Sequence, residues 1–286
     1  MTEQRLHDNE FSLLRLMPTV LRARDFRLYT KDGRRLVDLW QNGGAAVLGH
    51  TPPSMLREIK NTAGRGLYAP FPHFLESRYR AALSRIFPDK VAGRDFRLYA
   101  AAPPQLEALV AAESGGVSCN TVAFWRPFVN PAAPLAVPEN APPVLIPVVP
   151  GIQGWRGGLP LGLCALAIKN DFAPPPLPPG DFLPPVLLAA AARGIYDLIA
   201  AAAERANPAY RRVEKALNNP HASFRWQRQG IYLTPEQPRS NEEWAALFRR
   251  FLDNGFLLPP VQSHPVILPG ILSPGEEAKL AVLLAG

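Results

Sequence analysis

A lysine closes an apolar run in the middle of the chain, in the stretch LCALAIKNDF that spans residues 163–172. A run of this composition predicts a buried strand, and Lys169 stands at its end. A lysine amine at the mouth of a buried strand is a place where an enzyme can form a Schiff base with a carbonyl compound. Lys169 is therefore a candidate catalytic residue, and the alternative is a solvated side chain at the end of a strand.

The histidines and cysteines do not show the spacing of a metal site. Cys119 and Cys164 lie far apart, and long intervals separate His73, His221 and His264. We therefore expect no bound metal. Two distant cysteines are also typical of a protein from a reducing compartment.

Two glycine pairs and one further histidine are candidate functional positions. Gly43-Gly44 and Gly157-Gly158 lack the patterns of nucleotide-binding loops and are interpreted as tight turns. His50, in the stretch LGHTPP, is interpreted as a structural histidine before a helix and not as a catalytic base. No serine stands in the pattern of a nucleophile elbow.

The charge and hydropathy of the chain argue against two classes of partner. The net charge is +7, but the arginines are scattered and no basic block is interleaved with aromatic residues. Nucleic-acid binding is therefore not expected. The first ten residues are charged and contain no apolar signal region, and we find no run of about 18 apolar residues. We expect a cytoplasmic protein without a membrane segment.

Hydrophobic periodicity predicts an alternation of helices and strands. Asp32-Gly33 lies between two alternating runs and predicts a β-hairpin. The hexapeptide RDFRLY occurs twice, from Arg24 and from Arg94, and both copies are interpreted as strands. Helices are predicted over residues 52–61, 75–87, 186–206, 208–217, 242–254 and 274–284. Further strands are predicted over residues 121–128, 144–149, 223–233 and 265–268. The pattern favours an α/β fold with a layered sheet, followed by a smaller α+β unit.

Read in order, these segments resemble class III aminotransferases, which depend on pyridoxal phosphate, and among them glutamate-1-semialdehyde aminomutase. The N-terminal match is a strand, an Asp-Gly turn, a strand ending in aspartate, a glycine pair and Leu-Gly-His-x-x-Pro before a helix. The positions that fit this order are Asp32, Gly33, Asp38, Gly44, Leu48, Gly49, His50 and Pro53. The stretch GGLPLG at 157–162 matches the glycine-rich segment that follows the family's catalytic lysine. The resemblance implies a reduced aminotransferase-type large domain with a small α+β domain.

The positions that would bind the cofactor in this family have changed. The family's phosphate-binding Ser-Gly-Thr/Ser segment corresponds to residues 101–105 (AAPPQ), which contain no hydroxyl and lack two amide donors because of Pro103 and Pro104. The turn that reaches the phosphate from the second subunit carries Asp181, and Gln153 stands in place of the lysine. No acid lies between Glu139 and Asp171 to hold the pyridine nitrogen. We therefore expect no pyridoxal phosphate and no catalysis.

If the family fold holds, a group of aromatic and polar side chains faces the former active-site cleft. An arginine among aromatic rings suits a small anionic ligand, and the alternative is that these side chains fill the emptied cofactor space. The residues are Trp40, Asn42, Tyr68, Trp125, Gln153, Trp155 and Arg156.

The resemblance also implies a domain division and an assembly. Residues 1–60 would join the small domain and the dimer interface, 61–206 the large domain, and 207–286 the small domain. We expect a symmetric homodimer, because the long alanine-rich helix would otherwise expose an apolar stripe, and the alternative is that this helix packs inside its own chain. The stripe comprises Leu187, Leu188, Ile195 and Ile199. The function expected is that of a non-catalytic binding or interaction protein. The alternatives are an enzyme that uses Lys169 with pyridoxal phosphate and a protein that binds a small anion in the cleft.

Overall fold

The computed structural model describes residues 12–87, 94–114, 120–172, 177–206, 208, 210–220, 222 and 224–286. The chain forms two compact units. The first comprises Met1–Pro52, Phe128–Ala132 and Ala203–Gly286, and the second comprises Pro53–Pro127 and Ala133–Ala202.

The described residues contain strands and helices in alternation. The strands are β1 (Val20–Arg24), β2 (Arg27–Thr30), β3 (Arg35–Asp38), β4 (Arg94–Ala101), β5 (Val122–Trp125), β6 (Val144–Pro147), β7 (Gly154–Arg156), β8 (Leu159–Lys169), β9 (Trp226–Gln229), β10 (Tyr232–Pro235), β11 (Phe256–Leu257) and β12 (Val266–Ile267). The helices are α1 (Pro53–Ala63), α2 (Leu75–Ile86), α3 (Pro104–Ser114), α4 (Pro185–Arg205), α5 (Arg211–Leu217), α6 (Asn241–Asp253) and α7 (Pro274–Ala285). The bounds agree with the helices and strands predicted from periodicity to within a few residues.

The first unit holds two small sheets. One has the order β1-β2-β3-β11, in which β11 runs parallel to β3, and the other is the antiparallel sheet β12-β10-β9. Helices α6 and α7 each begin with a capping box, from Ser240 with Glu243 and from Ser273 with Glu276. These boxes satisfy amide donors that a helix N-terminus otherwise leaves unpaired.

The repeated hexapeptide RDFRLY adopts two different structures, and the interpretation of the first copy as a strand was wrong only at Asp25 and Phe26, since Arg24 ends β1 and Arg27 begins β2. There Asp25, with a φ of 50°, and Phe26 form the turn between β1 and β2. The second copy lies wholly within β4. The predicted hairpin at Asp32-Gly33 is confirmed, since β2 and β3 pair antiparallel around Gly33, whose φ is 81°.

The second unit is built on a five-stranded mixed sheet in the order β4-β8-β6-β5, with β7 added to β8. Strands β5 and β6 are parallel, whereas β8 runs antiparallel to β4 and to β6. Every residue of β6 is buried, as predicted for a strand without polar alternation. Because β4, β5 and β6 share one direction, their carboxyl ends at Ala101, Trp125 and Pro147 meet at one edge, which we call the carboxyl edge.

Helix α4 is long and apolar enough to span a membrane by length and composition, and no other described helix is. Such a helix is equally typical of a protein core. Within α4, Arg193 and Asp197 form an ion pair, and Ser54 donates a hydrogen bond to Asp197. Ala190 and Leu198 are fully buried. These contacts are those of a helix packed inside the second unit.

The apolar stripe expected on α4 is largely covered by the chain itself. Leu188 and Ile195 are 1% and 0% exposed, and Leu187 is half-buried. Ile199 is 39% exposed. The expectation that the stripe is exposed in a single chain was therefore wrong for its two central residues, because this face of α4 packs within its own chain.

The start of α7 provides a prediction about stability and pH. Arg27 binds Glu276 through two nitrogens, at 3.0 and 2.6 Å, and Ser273 donates its amide to the same carboxylate at 2.8 Å. Burial alone would raise the pKa of Glu276, but the bonds from Arg27 and Ser273 outweigh it and lower the pKa to about 2. The stabilisation is therefore fully present above the ordinary value of 4.5 and is lost as pH falls toward 2.

We expect Glu276→Gln to lower the free energy of unfolding by about 2 kcal/mol at pH 7, because glutamine keeps the cap but loses the charge. The difference from the wild type should shrink as the pH of urea titrations is lowered from 4.5 to 2.5. Glu242→Gln, an exposed acid in the first turn of α6, is the control and should change little. A difference that stays constant down to pH 2.5 would contradict this assignment.

Candidate functional site

Residues 177–182, which we call the strap, run along the side of β4 that no other strand covers. The Asp181 amide donates to the Leu98 carbonyl at 2.8 Å, and the Ala100 amide donates to the Asp181 carboxylate at 2.8 Å. The Tyr99 hydroxyl donates to the carbonyl of Pro178, also at 2.8 Å. A Cβ added at Gly180 would lie 2.9 Å from the Leu98 carbonyl oxygen, so only glycine allows this close approach. The strap is thus fixed along the last residues of β4.

The segment from β4 into α3 is the place where the family resemblance puts the phosphate. Pro103 and Pro104 begin α3, and the Pro103 carbonyl accepts from the amides of Leu106 and Glu107. Proline is well suited to the start of a helix, but it brings no N–H to an anion. The Ala100 amide donates a hydrogen bond to the Asp181 carboxylate, so a carboxylate of the chain itself lies at the end of β4.

Lys169 lies at the opposite edge of the sheet. In the antiparallel pair of β4 and β8, Lys169 is paired with Arg94 and Leu161 with Ala101. Ala101 comes seven positions after Arg94 along the strand. At about 3.3 Å per residue, this places Lys169 roughly 23 Å from the end of β4. The predicted position of Lys169 at the end of a strand is confirmed. That strand end, however, is the one far from the carboxyl edge.

The segment that precedes β8 brings three of the predicted cleft residues to the carboxyl edge. Gln153 is half-buried, Trp155 is 6% exposed with its ring 6.2 Å from that of Phe124, and Arg156 is exposed. Gly157-Gly158 forms the two-residue turn between β7 and β8, with φ values of 60° and 77°. The interpretation of this pair as a tight turn is confirmed.

Two other residues of the predicted cleft differ in exposure. Trp125, at the end of β5, is 4% exposed, donates its indole N–H to the Ala136 carbonyl at 3.3 Å and contacts the Phe87 ring edge-on at 5.3 Å. Tyr68, between α1 and α2, is 63% exposed. Trp125 therefore belongs to the core of the second unit, where its hydrogen bond and ring contact hold it.

Trp40 and Asn42 belong to the first unit, where they follow the buried carboxylate of Asp38 along the chain. Asp38, 1% exposed at the end of β3, accepts from the amides of Trp40 and Gln41 and contacts His50 Nε2, each at 2.8 Å. The Trp40 indole donates to His264 at 3.1 Å. The residues after Trp40 have positive φ values, 49° at Gln41 and 48° at Asn42.

Positive φ values at consecutive non-glycine residues require support from their surroundings. The carboxylate of Asp38 supports the backbone at Gln41, because it accepts hydrogen bonds from the amides of Trp40 and Gln41. In the sequence, Asp38 and His50 stand out only as positions in a motif. Their pairing could be anticipated from neither residue alone, since it depends on the loop between them.

The described residues contain no group of three or more histidine, cysteine, aspartate or glutamate side chains placed to hold a metal. Cys119 and His221 lie outside the described residues. Cys164 is fully buried in β8, and burial raises the pKa of its thiol to about 12. Its packing in the core is that of a small apolar side chain.

Uncharacterized proteins from two bacteria resemble this chain in sequence. No family model matches the chain. An uncharacterized protein of Treponema pallidum is 27% identical over 299 residues, which cover 90% of this chain and 91% of that protein. An uncharacterized protein of Borreliella burgdorferi is 36% identical over 70 residues, 24% of this chain and 26% of that one.

The solved structures that resemble this chain are aminotransferases. Ornithine delta-aminotransferase of Plasmodium falciparum has a TM-score of 0.60 at 13% identity, covering 100% of this chain and 97% of that one. Acetylornithine aminotransferase of Elizabethkingia anophelis has a TM-score of 0.58 at 12% identity, covering 94% and 92%. A glutamate-1-semialdehyde aminomutase of Pseudomonas aeruginosa has a TM-score of 0.59 at 14% identity, covering 94% and 86%. The expected aminotransferase-type α/β fold is thus confirmed.

The residues at the carboxyl edge do not fit pyridoxal phosphate. Residues 101–105 have no hydroxyl, and the Asp181 carboxylate is the group that accepts from Ala100. The sequence contains no lysine between Lys90 and Lys169, so the segment before β8 cannot supply an amine. It also contains no acid between Glu139 and Asp171 that could pair with a pyridine nitrogen.

Proposed function

We propose that this chain is an aminotransferase-fold protein that does not bind pyridoxal phosphate and acts as a non-catalytic binding or interaction protein. The observation that supports the proposal most directly is the hydrogen bond from the Ala100 amide to the Asp181 carboxylate at 2.8 Å. A phosphate at this strand end would have to displace or face a like charge at short range. The missing lysine and acid act in the same direction, because each removes a separate requirement of the chemistry.

A second candidate is an enzyme that uses Lys169. It is favoured by one observation: Lys169 lines a cavity of about 370 Å³ together with Arg94 and Glu139. In the first proposal the lysine forms no covalent adduct, whereas in the second it reacts with the aldehyde of pyridoxal phosphate. The absorption spectrum of the protein mixed with pyridoxal phosphate therefore distinguishes the two proposals.

We expect no absorption band between about 400 and 430 nm when the purified protein is mixed with pyridoxal phosphate. Borohydride treatment followed by mass spectrometry should find no modified lysine at stoichiometric amount. Lys169→Ala is the informative variant, and Lys60→Ala, on α1 of the same unit, is its control. A band that Lys169→Ala abolishes and Lys60→Ala retains would establish the enzyme and reject the non-catalytic protein.

We further propose that the protein is a cytoplasmic homodimer. Since Leu188 and Ile195 are buried within the chain, the support comes from a different surface, the segment between α1 and α2. Tyr68, Phe71 and Phe74 stand within seven residues there and are 63%, 54% and 62% exposed. Clustered exposed aromatic side chains are typical of contacts between proteins, and the partner proposed is a second copy of this chain.

Light scattering at micromolar concentration should give twice the mass of one chain. Replacing Phe71 and Phe74 together by serine should return the mass to that of one chain, because it removes two rings from the interface core. Phe182→Ser, which changes a ring that is 60% exposed on the strap, is the control and should leave the dimer intact. A wild-type mass of one chain would reject the dimer.

A further inference from the structure

A cavity of about 370 Å³ opens at the edge of the second-unit sheet opposite to the carboxyl edge. Its walls come from four separate places: the end of α2 at residues 85–87, the first residue of β4, residues 135–139, and Lys169 at the end of β8. The pairing of Arg94 with Lys169 fixes both at this edge. The cavity is thus distinct from the place where the aminotransferase fold would hold a cofactor.

Among the described residues that line the cavity, three side chains are cationic and one is anionic: Arg85, Arg94 and Lys169 against Glu139. The Arg94 guanidinium is fixed by the carbonyls of Pro143 and Ala167, both at 3.0 Å, and that of Pro142 at 3.2 Å. These bonds hold the side chain in place, and the nearby Asp171 carboxylate compensates part of its positive charge.

Neither Arg85 nor Lys169 forms an ion pair within the part of the chain that the structure describes. Lys169 is half-buried and Arg85 is exposed. The two side chains therefore keep donors for an outside anion, and Arg94 adds a fixed charge to the same lining. The excess of positive charge favours a negatively charged ligand.

The remaining wall of the cavity is apolar. Ile86 and Phe87 are 4% and 3% exposed and form part of the core, and the other apolar residues in the described part of the lining are Leu135, Ala136, Val137 and Pro138. The volume is at the lower end of the range for small-molecule sites, which suits one ring system or a short chain and excludes a large polyanion. A purely ionic ligand would leave the apolar wall uncovered.

We propose that this cavity binds a small amphipathic organic acid. Its anionic group is held by Lys169 and Arg85, and its apolar body lies against Phe87 and the 135–138 segment. In this role Lys169 acts as a cation and not as a nucleophile. The proposal goes beyond the one made above for the carboxyl edge, because it concerns other residues at the other edge of the sheet.

Two naphthyl dyes test the proposal, because they share a ring system and differ in charge. One is 8-anilinonaphthalene-1-sulfonate, an anion, and the other is N-phenyl-1-naphthylamine, which is neutral. Fluorescence titration of the full chain should show saturable binding of the sulfonate at one site. The double variant Arg85→Gln, Lys169→Gln should raise its dissociation constant by at least about tenfold, the effect of losing charge-assisted contacts. The neutral dye should change by less than about twofold.

Two controls accompany the double variant. Arg65→Gln removes an exposed charge from the same unit and should leave both dyes unaffected. Lys169→Arg keeps the charge at the cavity and should retain binding of the sulfonate. An equal loss of both dyes in the double variant, or no loss of either, would overturn the proposal. The titration is carried out without pyridoxal phosphate, so its outcome is independent of the absorption test for a pyridoxal phosphate adduct.

Discussion

Replacing Gly194 by alanine is expected to lower the free energy of unfolding by at least about 3 kcal/mol. Gly194 lies in the middle of α4, and a Cβ added there would meet the Pro150 carbonyl oxygen at 2.1 Å and its carbon at 2.8 Å. Gly151 faces the same helix at ordinary van der Waals distance, since a Cβ on it would be 3.6 Å from Ala191. At Pro150, however, the backbone after β6 approaches α4 so closely that only glycine fits at position 194. Helix propensity favours alanine by about 1 kcal/mol, but overlap with a backbone oxygen costs more.

Urea denaturation with fluorescence detection measures the effect. Gly275→Ala is a matched control, because Gly275 also lies in a helix and no atom stands within 4 Å of the position where its Cβ would be. That variant should be neutral or stabilising by up to about 1 kcal/mol. If both substitutions stabilise the protein equally, the close approach of α4 and Pro150 is refuted.

Replacing Arg205 by alanine is expected to cost about 3 kcal/mol. This arginine, at the end of α4, is 6% exposed and donates to the carbonyls of Val47 at 3.0 Å and Leu268 at 2.5 Å. Its guanidinium lies 5.3 Å from the centre of the Phe26 ring and 5.9 Å from that of Phe128. No described residue forms an ion pair with it, and burial lowers its pKa to about 10.

Two effects oppose each other at Arg205. Removing a buried charge relieves a desolvation penalty, but alanine leaves two buried carbonyls without donors and a cavity between two rings. The second effect wins because the aromatic faces and carbonyls already compensate much of the charge. Arg205→Met restores volume without the donors and should cost less than alanine, whereas Arg211→Ala, at an exposed position on α5, should cost almost nothing. An alanine variant as stable as the wild type would show that the arginine gives no net stability.

The sequence predicted most helices and strands because their apolar positions repeat with the period of each structure. It failed where distant contacts decide between local alternatives. The same six residues form one continuous strand from Arg94, where β8 pairs along their length, but a turn at Asp25 and Phe26 divides the copy that begins at Arg24. Likewise, the apolar positions of α4 were predicted correctly. The sequence of the helix does not show, however, whether Leu188 and Ile195 pack against the same chain or a second one.

The candidate site could be predicted in part for the same reason. Single replacements, such as glutamine at position 153 or the two prolines at 103 and 104, are visible in the sequence. The bond between Asp181 and Ala100 is not, because it joins residues 81 positions apart. The cavity beside Lys169 was also invisible, since its four walls are brought together only by the strand pairing.

The strap has a consequence for the behaviour of the protein at high concentration. Strand β4 is the outermost strand of its sheet, and an outermost strand offers unpaired amides and carbonyls to a strand of another molecule. The strap takes up the Leu98 carbonyl and the Ala100 amide, while its own Pro178 and Pro179 have no N–H to offer in turn. The strap thereby removes two backbone groups near the end of β4 from reach of another chain, which disfavours intermolecular strand pairing there.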